Sequence, residues 1–90
     1  MNISGIHYSN TLAGSVFSPA LPAGGARYLM VQALAQNIRY TLSLGQAPTA
    51  AIGYRLTSGN DPIVIEMGGG VTPQFFRESS GAILEYQWFD

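Results

Sequence analysis

Apolar and polar positions alternate along much of this chain, and the alternation is clearest between residues 38 and 56. Ile38, Tyr40, Leu42 and Leu44 fall on every second position, and Ile52, Tyr54 and Leu56 do the same further on. A period of two predicts two strands that each bury one face and leave Arg39, Thr41, Ser43 and Arg55 on the other. Gly45, Pro48 and Thr49 lie between them, so the pair forms a β-hairpin or a corner between sheets. At the C-terminus the same period runs from Ala82 to Phe89. It sets Ala82, Leu84, Tyr86 and Trp88 on one face and Ile83, Glu85, Gln87 and Phe89 on the other. Ile63–Met67 is a further strand, bounded by Asn60-Asp61-Pro62 and by the turn Gly68-Gly69-Gly70. Val71–Arg77 is another, placed at an edge or a bulge because Pro73 cannot donate to a ladder.

The remaining segments are less regular. Residues 11–17 suit a short strand, and Ser18–Gly25, with its prolines and glycines, suits a loop. In Ala26–Gln36 the spacing of Leu29, Met30, Ala33 and Leu34 fits a helix, whereas Tyr28, Val31 and the preceding Gly-Gly favour a strand. As a strand it is apolar on both faces, which suits a central position covered on both sides. Residues 1–10 carry Ile3, Ile6 and Tyr8 on an otherwise polar strip. They are expected as an extended N-terminal arm that pairs at a sheet edge or reaches a neighbour, the alternative being a frayed end. About seven short strands, with turn signals every 8–12 residues or so, describe one small all-β domain over residues 11–90, an antiparallel β-sandwich.

Composition adds a reason to expect association. Only 10% of the 90 residues are charged, 47% are apolar, and there is no cysteine. An ordinary domain carries about 25% charged residues, and a chain this short buries only about 60–65% of its unfolded surface. With no disulfide to compensate, a homo-oligomer is the expected route to stability, and apolar surface the expected contact. All four basic residues are arginines, Arg27, Arg39, Arg55 and Arg77, a side chain suited to specific paired contacts. A net charge of −1 gives no electrostatic footprint for nucleic acid. No basic start precedes an apolar run, so no secretory signal is expected, and no run approaches the ~20 residues of a membrane span.

Candidate chemistry is sparse. His7 is the single histidine, and on a mobile arm it would not be held within reach of a nucleophile, so it reads as a surface residue. A histidine metal site needs several convergent ligands, and one histidine without cysteine does not supply them, so no metal and no cofactor is expected. Glu66 and Glu85 could supply a glycosidase pair, but both face outward, and a solvated charge or a cross-strand pairing with Arg39 or Arg55 explains them more simply. The three consecutive glycines lack the Lys-Ser/Thr and helix of a phosphate loop. Asn2-Ile3-Ser4 matches a glycosylation acceptor, a match without weight in the absence of a secretory signal. Phe76 and Phe89 are the aromatics phased outward, with Gln87 beside Phe89. Such rings stack on sugars, anchor protein contacts or fill a second buried layer.

Several ordered points resemble small β-sandwich virion structural proteins of tailed bacteriophages. They are Arg27-Tyr28-Leu29, Val31-Gln32, Arg39-Tyr40-Thr41-Leu42, Pro48-Thr49, Gly53-Tyr54-Arg55-Leu56, Asp61-Pro62, Phe76-Arg77-Glu78, Gly81 and Tyr86-Gln87-Trp88. The family pattern has Asp-Gly directly after Tyr-Thr-Leu, where this chain has Ser43-Leu44-Gly45. The strand and turn are also similar to the immunoglobulin-like modules of chitin-degrading enzymes. The phage resemblance favours strand for Ala26–Gln36. It implies a non-enzymatic component of the virion, preferably a capsid decoration or cement protein at the capsid surface. Such a protein binds the major capsid protein as a homotrimer, with an N-terminal arm embracing a neighbour. The contact residues expected on this reading are Ile3, Ile6, Tyr8, Arg39, Arg55, Phe76, Gln87 and Phe89. The alternatives are a carbohydrate-binding module and a head–tail or tail adaptor.

Overall fold

The computed structural model of the chain describes residues 2–42, 45–67 and 72–90. Its seven strands are β1 Tyr8–Thr11, β2 Tyr28–Leu34, β3 Ile38–Thr41, β4 Tyr54–Leu56, β5 Ile63–Glu66, β6 Gln74–Arg77 and β7 Ile83–Phe89. They form two antiparallel sheets, one of four strands in the order β1-β7-β2-β5 and one of three in the order β4-β3-β6. This is the all-β sandwich that the alternation predicts.

Strand alternation builds the core. Leu29, Val31 and Ala33 from β2, with Leu84, Tyr86 and Trp88 from β7, turn inward from the larger sheet. They meet Ile38, Leu56 and Phe75 from the smaller one, and Leu12 closes the side after β1. Each Val, Leu, Ile or Phe among them, fully buried, contributes about 1.5–3 kcal/mol. β7 and β2 are the long central strands, and they pair residue for residue from Tyr28 opposite Phe89 to Leu34 opposite Ile83. The segment Ala26–Gln36 is therefore a central strand. Its cover is unequal, because Leu29, Val31 and Ala33 are buried while Tyr28, Met30, Gln32 and Leu34 are half-buried.

The chain changes sheet between β2 and β3 over a few residues. Ala35 there has φ 68°, and the Gln36 amide donates to Leu34 O at 2.8 Å. A non-glycine residue in the left-handed region carries a steric cost that this corner tolerates. The return after β4 is tied by Asn37 Oδ1, which accepts the Ser58 amide at 2.8 Å. Gly53 is required by space as well as by its φ of 122°, since a Cβ there would lie 2.8 Å from the Tyr40 carbonyl oxygen.

Several expectations need correction. Residues 11–17 are not a strand: β1 ends at Thr11, and Phe17 makes only an isolated bridge with Phe75. The strand lies earlier, within the segment expected as an arm. The alternation around the hairpin is right in phase, with Ile38 opposite Leu56 and Tyr40 opposite Tyr54. Burial does not follow it to the end, however. Ile38 and Leu56 are buried, Tyr40 is half-buried, and Leu42, Ile52 and Tyr54 are exposed. Thr41, on the face expected to be open, is buried, and its hydroxyl donates to Gln46 O at 2.7 Å. The inward-phased side chains at this end of β3 and β4 therefore lack the cover that Ile38 and Leu56 have. β6 is an edge strand beside β3, but it begins at Gln74, so Pro73 precedes the strand instead of lying within it. The expected positions of Ser43, Leu44, the Gly68-Gly69-Gly70 turn and Val71 lie outside the described residues.

Candidate functional site

Register places two arginines face to face. Arg39 on β3 pairs directly with Arg55 on β4, and like charges in that relation destabilise a sheet unless something lies between them. Glu78 does so. One carboxylate oxygen, Oε2, accepts from Arg39 Nε at 2.6 Å and from Arg55 Nε at 2.8 Å. Arg39 also donates through Nη1 to Gly53 O at 3.0 Å. Burial alone would raise the Glu78 pKa, but hydrogen bonds from Arg55 and Arg39, and then their charges, outweigh it and hold the carboxyl below its ordinary value. The cluster keeps one positive charge in excess. Arg55 is its open side, with a side chain 48% exposed against 20% for Arg39. Phe76, opposite Arg39 on β6, is half-buried on the same outward face.

Of the two readings given for Glu66 and Glu85, pairing with Arg39 or Arg55 is overturned, and for Glu66 the solvated one holds, since it is exposed. Glu85 lies on the other sheet, where its Oε1 is 2.8 Å from His7 Nε2. The Ser9 hydroxyl and then His7 lower its pKa. Glu66 makes no ion pair with a described residue. Glu78 was missed as a site residue, although outward alternation from Phe76 through Arg77 points to it.

His7 is held, not mobile, because the N-terminal segment is laid along β7. Asn2 and Asp90 exchange backbone hydrogen bonds at 3.0 and 2.7 Å, and the Ser4 amide donates to Trp88 O at 3.0 Å. Ile3 bridges Phe89, and Tyr8 pairs with Tyr86. Five steps along the segment (3 to 8) thus accompany three along β7 (89 to 86), so two residues bulge between Ser4 and Tyr8. A bulge of this kind re-aims side chains. Here His7 reaches Glu85, while Ile3 and Ile6 stand 71% and 66% exposed. Tyr8 stacks on Tyr86 with ring centroids 5.1 Å apart. Burial, and then the neighbouring Tyr8, raises the Tyr86 pKa. Gln87 is half-buried and uses its amide within the chain, donating to Gly5 O at 3.0 Å. Phe89 is half-buried between Tyr28 and Ile3.

The eight expected contact residues therefore fall into two groups on different sheets. Ile3, Ile6, Tyr8, Gln87 and Phe89 lie along one flank of β7, and Arg39, Arg55 and Phe76 lie on the outward face of the smaller sheet. A further exposed set was not anticipated. Tyr54 on β4 is 67% exposed, and Ile63 and Val64 on β5 are exposed as well. β4 and β5 are edge strands of different sheets and border one side of the sandwich, where Arg55, Leu56, Asp61 and Ile63 line a common cleft. Among the described residues no three of His, Cys, Asp and Glu converge as metal ligands. No helix there is long and apolar enough to cross a membrane. Protein families, curated proteins and solved structures contain no match to this chain.

Proposed function

We propose that the chain is a non-enzymatic structural protein of a bacteriophage virion, a capsid decoration or cement protein that binds the major capsid protein as a homo-oligomer, preferably a trimer. The observation that carries this reading is apolar surface presented from an ordered frame. Ile3 and Ile6 project from a bulged segment that backbone hydrogen bonds hold on β7, and Tyr54, Ile63 and Val64 project from two unpaired edges. A domain with so few charges gains by covering such side chains against a partner. The ordered resemblance along Arg27–Trp88 supplies the class of partner. Glycan stacking on Trp88 is a weaker reading, because that ring is 1% exposed and has no free face.

Particles assembled with and without this chain test the proposal. Low-resolution imaging is expected to reveal added density at symmetry-related positions on the shell, and heating is expected to open the undecorated particles first. Shells that take up no density would overturn it, and a single ring at the head–tail vertex would move the chain to the adaptor class.

A further inference from the structure

The β4/β5 side of the sandwich carries opposite charges on its two flanks. Arg55 points outward from the smaller sheet, next to a Glu78 that already serves Arg39. Glu66 points outward from the larger sheet. Its neighbour Ile65 is buried, and Glu66 lies exposed opposite Tyr28 with no ion pair to any described residue. Between the flanks lie exposed Tyr54, Ile63 and Val64 and the free edges of both strands. Asp61 shares the cleft with Arg55 but forms no ion pair with it. Val64 lies in the row of Met30 and Gln87, and Glu66 in that of Tyr28 and Phe89, none of them positive. Arg27, whose carbonyl accepts the Met67 amide at 2.7 Å, forms no ion pair with Glu66.

An apolar strip with a cation on one flank and an anion on the other is complementary to itself under rotation. We infer that the β4/β5 side is the contact between copies of this chain, with Arg55 of one copy on Glu66 of the next and Tyr54, Ile63 and Val64 turned toward the symmetry axis. Two or three copies close such a contact, since each presents both flanks from the same side. Arginine's planar fork suits the role, because the N–H groups of Arg55 not used by Glu78 can donate to a second carboxylate. The inference rests on the homo-oligomer part of the reading above and is independent of what shell the oligomer binds.

The test begins with light scattering of the full chain at low salt. The wild type is expected to be an oligomer, and Glu66→Arg, at an exposed position, is expected to weaken association at least tenfold while circular dichroism reports a folded chain. Adding Arg55→Glu to Glu66→Arg is expected to restore it. The natural chain has no cysteine, which allows a second readout independent of charge. Folded Arg55→Cys and Glu66→Cys chains, mixed and treated with a short bis-maleimide, are expected to join to each other more than to themselves. A monomeric wild type, a Glu66→Arg chain that assembles normally, no restoration by the double reversal, or no cross-linking between the two cysteine chains would each overturn the inference. A monomer that still decorates shells would overturn it and leave the virion reading standing. An oligomer that binds no shell would do the opposite.

Discussion

Glu78 decides whether the β3–β4 pair holds, because it stands between two guanidiniums that register forces together. Its lowered pKa means that the folded chain binds the proton less readily than the unfolded chain does. The stability it contributes is present above its ordinary value of 4.5 and is lost as pH falls through the lower native value. Acid melts of the wild type should therefore lose stability below about pH 4.5 more steeply than those of Glu78→Gln. At pH 7 the same variant should cost on the order of 1–2 kcal/mol, because a charged acceptor shared by two arginines is lost at a partly exposed site. Two backbone positions make opposite predictions. Gly53→Ala drives a Cβ against the Tyr40 carbonyl and should destabilise by about 1–3 kcal/mol or more, whereas Ala35→Gly relieves a left-handed alanine and should be neutral or stabilising by up to about 1 kcal/mol. Equal melting temperatures for the two variants would contradict both arguments.

β7 carries the most consequences among the elements. It lies between β1 and β2 and presents Leu84, Tyr86 and Trp88 to the core. Trp88 has no hydrogen-bond partner for its buried Nε1 among the described residues, so there it contributes through packing and gives back part of that to an unmet donor. Trp88→Ala should cost about 3–5 kcal/mol, enough to unfold a domain this small, and Trp88→Phe should cost clearly less. Phe89→Ala should leave a folded chain, since Phe89 lies half-buried on the outward face. Chemical denaturation ranks the three. The N-terminal segment is part of the same element in physical terms, because it extends the ladder along β7. A side chain added at Gly5 would meet Pro22 and Trp88 at 3.6 and 3.7 Å, so that backbone lies against the tryptophan. Deleting residues 2–7 should lower the melting temperature by several degrees, at about 4–8 °C per kcal/mol for a domain of this size. An unchanged melt would mean that the segment contributes nothing to the sandwich.

At the scale of the molecule, small size and sparse charge act together. The Cα radius of gyration is 12.1 Å, close to the roughly 13 Å of a 100-residue domain, so the chain gains nothing further from compaction. What remains is cover for exposed apolar side chains, Ile3, Ile6, Tyr54, Ile63 and Val64 among them. Raising protein concentration should raise the melting temperature, because association favours the folded state by mass action. A melting temperature independent of concentration over two decades would argue that the exposed set stays in water.

Alternation was enough to place the strands that face one partner sheet. The phase of Ala82–Phe89, of Ile38 opposite Leu56 and of Ile63–Met67 was legible because a period of two has one solution when a single face is buried. The edge position expected for the Val71–Arg77 segment holds for β6, although Pro73 lies just before the strand and not in its ladder. Other outcomes had no local signal. Leu42, Ile52 and Tyr54 alternate as well as any core residue, yet all three are exposed, and nothing along the chain distinguishes them from Ile38 and Leu56. Thr11–Phe17 has the composition of a strand, but its backbone passes between the sheets and bridges one residue. The bulge that turns His7 onto Glu85 depends on the offset between two segments near opposite ends of the chain. Glu78 is an unremarkable charge beside a turn until register sets Arg39 against Arg55. Period and composition determined the sandwich and its inward faces, because each depends on neighbours along the chain. Tertiary structure decided which charges meet and which apolar side chains stay uncovered, because those depend on distances that only the packed sheets define.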